Sequence, residues 1–202
     1  MRTALFDYGS GNIIAIKNIL ESIGIYAVIT SKVEELLDYR FIFIAGVSSF
    51  DNSINNLKEL NFNNYICTNI LFKDKILIGI CAGMQILFNS SEEGKEEGLK
   101  LIPGKVKKFS SNLDLKVPHI GWNKLIIKDQ TNIFYKLNNK KFYFSHSYYV
   151  ECDEKYVYAL TDYQQEFPSI VKKSNMYGFQ FHPEKSNVSG KELFKILYSH
   201  YV

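Results

Sequence analysis

Two runs, "FIFIAG" (Phe41–Gly46) and "ILIGI" (residues 76–80), are apolar at every position, long enough for a strand and too short for an independent helix. A strand with no polar face must be covered on both sides. In globular proteins that means a parallel sheet between two layers of helices. The surroundings agree: "TALFDY" (residues 3–8) and "IYAVIT" (residues 25–30) supply two more strands, and helical patterns are expected over residues 13–23, 53–60 and 65–72 and from Ala82 onward. The second half changes character. "GKVKKF", "WNKLIIK", "KFYFSHSYYV", "YVYALT", "PSIVKK" and "MYGFQF" are aromatic and β-branched runs separated by Asn, Asp, Gly or Pro, expected as mostly antiparallel strands added to the same sheet. A last helix is expected over residues 190–201. The fold class is therefore α/β, a mixed, mostly parallel sheet with helices on both faces and extra antiparallel strands in the second half. With no repeat, low-complexity tract or linker, residues 1–202 are expected to form one domain.

Composition narrows the function. A formal net charge of +3 with scattered lysines gives no basic stripe, so neither nucleic acid nor a membrane surface is expected as a partner. No apolar run approaches the ~18 residues of a membrane span, and the apolar start reaches Asp7 too soon for a signal peptide. Three cysteines, Cys67, Cys81 and Cys152, are an odd number without metal-ligand spacing. This points to a reducing compartment, the cytoplasm, and to no disulfide framework, metal or cofactor.

Ligands of open α/β sheets bind at the carboxyl ends of strands. Four features fall at such ends: "YGSGN", "AGVSSF", "GICAGMQ" and "FHPEKS". The first lacks the third small residue of a dinucleotide fingerprint, having Ile14 there, and reads as a tight turn. The third puts Cys81 between Gly79 and Gly83 where a strand turns into a helix. A core cysteine is the bland alternative, but glycines on both sides of a thiol at this turn favour a nucleophile that projects from the sheet top on a strained elbow. A following helix N-terminus would favour a thiolate, and the N–H of Ala82 would face a developing oxyanion. Cys67 on a helical stretch and Cys152 among charged residues have no such setting and are expected to be structural.

A thiol needs a base. His182 ends a strand, and Pro183 favours an extended chain after it, so Glu184, two residues on, is expected beside the imidazole as its orienter. Taken alone, the pair is equally a capped strand-end histidine; beside the Cys81 elbow, the base is preferred. His146 has serines and tyrosines around it but no carboxylate at i±2, His119 follows a proline in an expected loop, and His200 is expected in solvent.

"GICAGMQ" with the distant "FQFHPE" resembles the signature of class I, triad-type glutamine amidotransferases. "DYGSGN", "AGVSSF", "PHIGWN" and "FSHSYY" narrow the resemblance to the glutaminase subunits of imidazole glycerol phosphate synthases, from Phe6 to the last helix. The resemblance implies a flavodoxin-like fold and hydrolysis of glutamine through a thioester on Cys81, with His182 as base and then acid and Glu184 as its orienter. It implies a heterodimer with a (β/α)8-barrel cyclase subunit that receives the ammonia and makes imidazole glycerol phosphate and an aminoimidazole carboxamide ribotide (AICAR) in histidine biosynthesis. By position, Gly46 and Val47 match the strip beside the oxyanion. Gln85 and Glu93 match the holders of the substrate's α-carboxylate and α-amino ends, and Ser147 and Tyr148 match a second aligning strip. Trp122, Asn123 and Lys185 match partner-facing positions. The plainer alternatives are a solvated helix residue for Gln85 and a core anchor for Trp122.

Three departures from the family stand out. Ala45-Gly46-Val47-Ser48 stands where Pro-Gly-Val-Gly is usual. Ser48 in place of glycine raises the cost of a peptide flip to φ > 0 by about 1–2 kcal/mol, about tenfold in rate. Ala82 replaces a usual leucine, and "GNIIAI" lacks the usual polar residues after Asn12. Such departures also suit a second-copy paralogue that feeds ammonia to the amidino modification of a surface sugar. Two other classes compete: a cysteine hydrolase without ammonia transfer, opposed by Gln85, Glu93 and the "HSYY" strip, and a non-catalytic regulatory subunit, opposed by the intact Cys81, His182 and Glu184.

Overall fold

The computed structural model describes residues 2–65, 75–110 and 115–201. Its centre is a seven-stranded sheet in the order β2-β1-β3-β4-β11-β10-β9, where β1 is Thr3–Phe6, β2 Ala27–Thr30, β3 Phe41–Gly46, β4 Ile76–Cys81, β9 Val157–Asp162, β10 Glu166–Lys173 and β11 Met176–Phe179. The first five in that order are parallel; β10 and β9 are antiparallel additions. The β9–β10 register shifts around Pro168, a residue with no N–H to give to a ladder.

The apolar runs do what their composition demands. On β3, Phe41, Phe43 and Ala45 enter one core and Ile42 and Ile44 the other; on β4, Ile76, Ile78 and Ile80 face the first and Leu77 the second. The first core is closed by α1 (Ile13–Glu21) and α5 (Asn187–Ser199), the second by α2 (Phe50–Glu59), α3 (Phe62–Tyr65) and α4 (Ala82–Gln85). Asn12 caps α1 by accepting from the Ala15 N–H at 3.2 Å. Beyond Tyr65, the helix expected over residues 65–72 and Cys67 with it lie outside the described residues.

Two expectations are corrected. Only β9, β10 and β11 of the second half join the main sheet, and β11 is parallel to β4. The other strands form two separate antiparallel pairs: β5 (Gly104–Lys108) with β8 (Tyr148–Cys152), and β6 (His119–Lys124) with β7 (Lys141–His146). The helix after Cys81 is a single turn. The carbonyls of Ile86, Leu87 and Phe88 accept from the N–H groups of Leu99, Leu101 and Lys100, and those bonds draw the chain off the helical path. No helix among the described residues is long and apolar enough to cross a membrane.

Candidate active site

The ends of β3 and β4, the segment after β11 and the turn between β7 and β8 converge on one cavity of about 330 Å³, lined among others by Ser48, Cys81, Gln85, Ser147 and His182, within the size range of small-molecule sites. A larger crevice of about 850 Å³ runs beside β8 and β9, remote from the strand ends and without a nucleophile placed against a base.

Cys81 is the last residue of β4 and has φ 54° and ψ −113°. A non-glycine residue held there stores about 1–3 kcal/mol of strain, which surrounding structure must over-determine. The neighbouring glycines do so. A Cβ on Gly83 would lie 2.0 Å from the Ile44 carbonyl oxygen, and one on Gly79 would lie 2.4 Å from the Gly83 carbonyl oxygen. Only bare backbone lets the elbow press this close to β3. The thiol lies 7% exposed.

His182 is 3% exposed, and its Nδ1 lies 2.8 Å from Glu184 Oε1. With Nδ1–H donated to the carboxylate, Nε2 is left for the thiol. Burial pushes the imidazole down, but its hydrogen bonds to Cys81 and Glu184 and the negative charge they carry outweigh it and raise it to about 10. The expected pairing is present, although its reason differs. Residues Pro183–Lys185 form a 3-10 turn, not an extended chain. The backbone that carries the ring is fixed by the His182 main-chain N–H, which donates to Tyr143 O at 2.8 Å, and by Ser186 Oγ, which donates to His182 O at 2.6 Å.

The strip after β3 holds Gly46 and Val47. A Cβ on Gly46 would meet Tyr8 Oη at 2.7 Å and Ala82 Cβ at 2.8 Å. The N–H groups of Val47 and Ser48 both donate to Ser10 Oγ at 3.3 Å, and Ser48 Oγ bridges Ser10 Oγ at 2.7 Å and Ser53 Oγ at 2.9 Å. The "YGSGN" turn is therefore a structural abutment: Gly11, at φ 102°, would set a Cβ 2.3 Å from Ala45 O. Buried Tyr8, beneath the strip, is pushed up to about 12, chiefly by desolvation.

Gln85 is 5% exposed, so it is not a solvated helix residue. Its Nε2 donates to Tyr148 O at 3.0 Å and to Gln180 Oε1 at 3.1 Å. Glu93 is exposed at the cavity rim and accepts from the Phe50 N–H at 2.9 Å, an anion at the N-terminus of α2. Ser147 and Tyr148 line the cavity, half-buried. Trp122, 45% exposed, is not a core anchor. Asn123 donates to Asp162 O at 2.8 Å and so ties β6 to β9, and exposed Lys185 sits 5.6 Å over the Tyr143 ring. Cys152 is half-buried and pushed up to about 12, by desolvation first and then by Asp153 and Glu151, in keeping with an unreactive thiol.

His119 is neither exposed nor in a loop. It opens β6, is 3% exposed, and its Nδ1 lies 3.0 Å from Nε2 of His146, itself 6% exposed. This pair and Gln180 escaped the sequence reading. Alternation carried past the end of the strand was the available signal, because Gln180 precedes His182 by two and an amide among apolar neighbours demands partners.

A strained thiol at a strand end, facing an imidazole backed by a buried carboxylate, brings together the residue types of a thiol–base–acid triad. The glutamine amidotransferase class-I family model matches residues 4–198, and the chain belongs to that family. Among relatives, it is 43% identical over 195 residues to imidazole glycerol phosphate synthase subunit HisH 2 of Methanococcus maripaludis, covering 95% of this chain and 96% of that one. It is 40% identical to subunit HisH of Leptospira borgpetersenii, over 95% and 96% of the two chains, and 39% identical to subunit HisH 1 of Campylobacter jejuni, again over 95% and 96%. Among solved structures, a glutamine amidotransferase superimposes with a TM-score of 0.77 at 18% identity over 100% of this chain and 99% of the other, a likeness of fold.

Proposed function

We propose that the chain is the glutaminase subunit of an imidazole glycerol phosphate synthase. The observation that carries this reading is the joint one of a buried Cys81–His182–Glu184 set and 38–43% identity along nearly the whole chain to relatives bearing that name. Cys81 Sγ, its proton already held by His182, attacks the side-chain amide carbon of glutamine; His182 gives that proton to the leaving nitrogen, so that ammonia departs and a γ-glutamyl thioester remains. Water, deprotonated by His182, then cleaves the thioester to glutamate and regenerates the thiol. Glu184 holds Nδ1–H and stabilises the imidazolium in both halves.

The oxyanion needs donors, and here the Val47 and Ser48 amides are turned to Ser10 Oγ. Turning one of them toward the cavity requires rotating the strip, which Ser48 resists. The isolated subunit is accordingly slow, and a partner that presses on exposed Val47 releases it. Val117, Ile120 and Trp122, also exposed, adjoin Pro118 at the cavity mouth, and an apolar rim of this kind suits a permanent protein partner. That partner is a (β/α)8-barrel cyclase that takes the ammonia and forms imidazole glycerol phosphate and AICAR in the cytoplasm.

The alternative acceptor, a sugar-amidating enzyme, is favoured by one observation: several similar relatives are numbered copies. The test is glutamate release from glutamine by the purified chain, alone and with each barrel cyclase of the same genome. Strong activation by the histidine-pathway cyclase is expected, and Cys81→Ala should abolish it. Activation by another barrel subunit alone moves the chain to sugar amidation; turnover by Cys81→Ala near the wild-type rate overturns the mechanism.

A further inference from the structure

Beneath the nucleophile runs a chain of buried polar groups whose sense is fixed by one atom. The Tyr148 carbonyl oxygen can only accept, so the Gln85 nitrogen 3.0 Å away and the His146 Nδ1 2.7 Å away must both be donors. That orients the Gln85 amide, and its Nε2 also donates to Gln180 at 3.1 Å, where the acceptor must be Oε1. Gln180 then has one orientation left, with Nε2 toward Cys81 Sγ at 3.9 Å. The opposite rotamer would set two NH₂ groups face to face. On the far side, His146 carries its proton on Nδ1, so its bare Nε2 accepts from His119 Nδ1 at 3.0 Å.

None of these side chains reaches solvent to any extent: Gln180 is 0%, His119 3%, Gln85 5% and His146 6% exposed. Buried polar groups are tolerated when every bond is made, and a network fully satisfied holds its members in one arrangement. The one group at its end is the sulfur.

We propose that Gln180 is a positioning residue for the nucleophile: its carboxamide N–H donates to Cys81 Sγ, holds the sulfur toward His182, and favours the thiolate. Sulfur as thiolate accepts more strongly than sulfur as thiol, so the bond tightens when His182 takes the proton. Gln85, Tyr148, His146 and His119 keep the amide from turning over. The inference rests on Cys81 being the nucleophile and adds a second donor, independent of His182, to its sulfur.

The test is the pH profile of Cys81 alkylation by iodoacetamide, read on the Cys81 peptide by mass spectrometry in the full chain. Gln180→Glu keeps an acceptor for Gln85 and removes the donor to sulfur; Gln180→Met removes both at similar volume. Expected is at least a tenfold fall in alkylation rate at pH 6.5 for Gln180→Glu, a smaller fall for Gln180→Met, and an upward move of the half-maximal pH in both. Gln85→Leu, which leaves Gln180 in place but frees it to turn, gives a smaller shift in the same direction and serves if either Gln180 variant fails to fold. A lowered unfolding midpoint with the wild-type alkylation profile means a merely structural glutamine and overturns the proposal. Because the assay reads sulfur and not turnover, an unshifted profile fails the donor alone. A chain inactive toward glutamine with every partner fails the functional reading and leaves the profile to decide this one.

Discussion

Replacing His146 with glutamine is expected to flatten the acid side of the stability curve. Burial pushes His146 down to about 3 and His119 down to about 4, against 6.5 for a free imidazole. A base whose folded value is depressed binds its proton more tightly when unfolded, so its cost is absent above pH 6.5 and grows as pH falls from there toward the folded value. For His146 alone the loss between pH 7 and pH 5 is about 2 kcal/mol, out of the roughly 5–15 kcal/mol that holds a domain together. Glutamine keeps both bonds, its NH₂ replacing Nδ1–H toward Tyr148 O and its oxygen replacing Nε2 toward His119. The pH window isolates the histidines. Glu35, Asp51, Glu97, Asp129 and Glu151 are lowered by hydrogen bonds and charges, so their contributions are lost only as pH drops through the ordinary carboxylate range and below. His182 works in the opposite direction. Its value is raised, so its contribution is complete below pH 6.5 and is lost as pH climbs through about 10. The assay is urea unfolding at pH 7, 6 and 5 for wild type and His146→Gln, with the slope of free energy on denaturant checked for constancy. A variant that loses as much stability as wild type between pH 7 and 5 would show that His146 does not carry the buried neutral state assigned to it.

Three further outcomes follow from the geometry of the elbow and strip. Gly83→Ala drives a Cβ to 2.0 Å from Ile44 O, costing about 3 kcal/mol or more. The thermal midpoint should fall by roughly 6–12 °C, and an unchanged midpoint would mean that β4 and α4 separate freely. Ser48→Gly removes the hydroxyl that bridges Ser10 and Ser53 and the penalty on positive φ. Glutaminase kcat with the cyclase bound should rise about tenfold at unchanged KM, and a fall in kcat would show that the hydroxyl ladder assists turnover. Glu184→Gln keeps the shape beside His182 and removes the charge. Its kcat should drop by about a hundredfold or more, and the His182 titration followed by NMR should move below the wild-type midpoint; a midpoint left in place would remove Glu184 from the account of the imidazole.

The sequence was most readable where composition leaves little choice. β3 falls at Phe41–Gly46 as its unbroken apolar run requires, because no other element buries both faces of six residues. β5 and the second half of β6 were legible as strand but not in their pairing: the residue pattern of a run states a period, and nothing in it names β8 or β7 as the partner across many residues of chain. The helix after Cys81 was overestimated because "MQILF" keeps helical spacing, whereas the bonds that end it come from residues 99–101. His119 was misjudged by local rules that place a histidine after proline in a loop, since its burial depends on stacking with Tyr163 at 3.9 Å and on a bond to a residue 27 positions on. The strand-end place of Cys81 and the pairing of His182 with Glu184 were legible because chemistry constrains residue type and spacing together. Their supports, Ser10, Gln180 and the histidine pair, are fixed only by which strand ends meet.

The short length of α4 changes what activates the thiol. A full helix beginning at Ala82 would bring a macrodipole to the sulfur, but a four-residue turn adds few aligned peptides. The sulfur must draw on contacts made by side chains: the imidazole that Glu184 holds on one side and the amide of Gln180 on the other. Both arrive on the segment that follows β11, the parallel neighbour of β4, with Phe179 in register with Ile80. The strand that ends in Cys81 is thus paired directly with the strand that leads to His182, and one run of backbone hydrogen bonds sets their separation. On the other side, Gly46 of β3 is in register with Cys81 itself, which fixes the strip that follows β3 against the same residue. The strain at φ 54° survives because β3 and β11 grip β4 from both sides, and the glycines that let them approach are the residues the elbow cannot exchange.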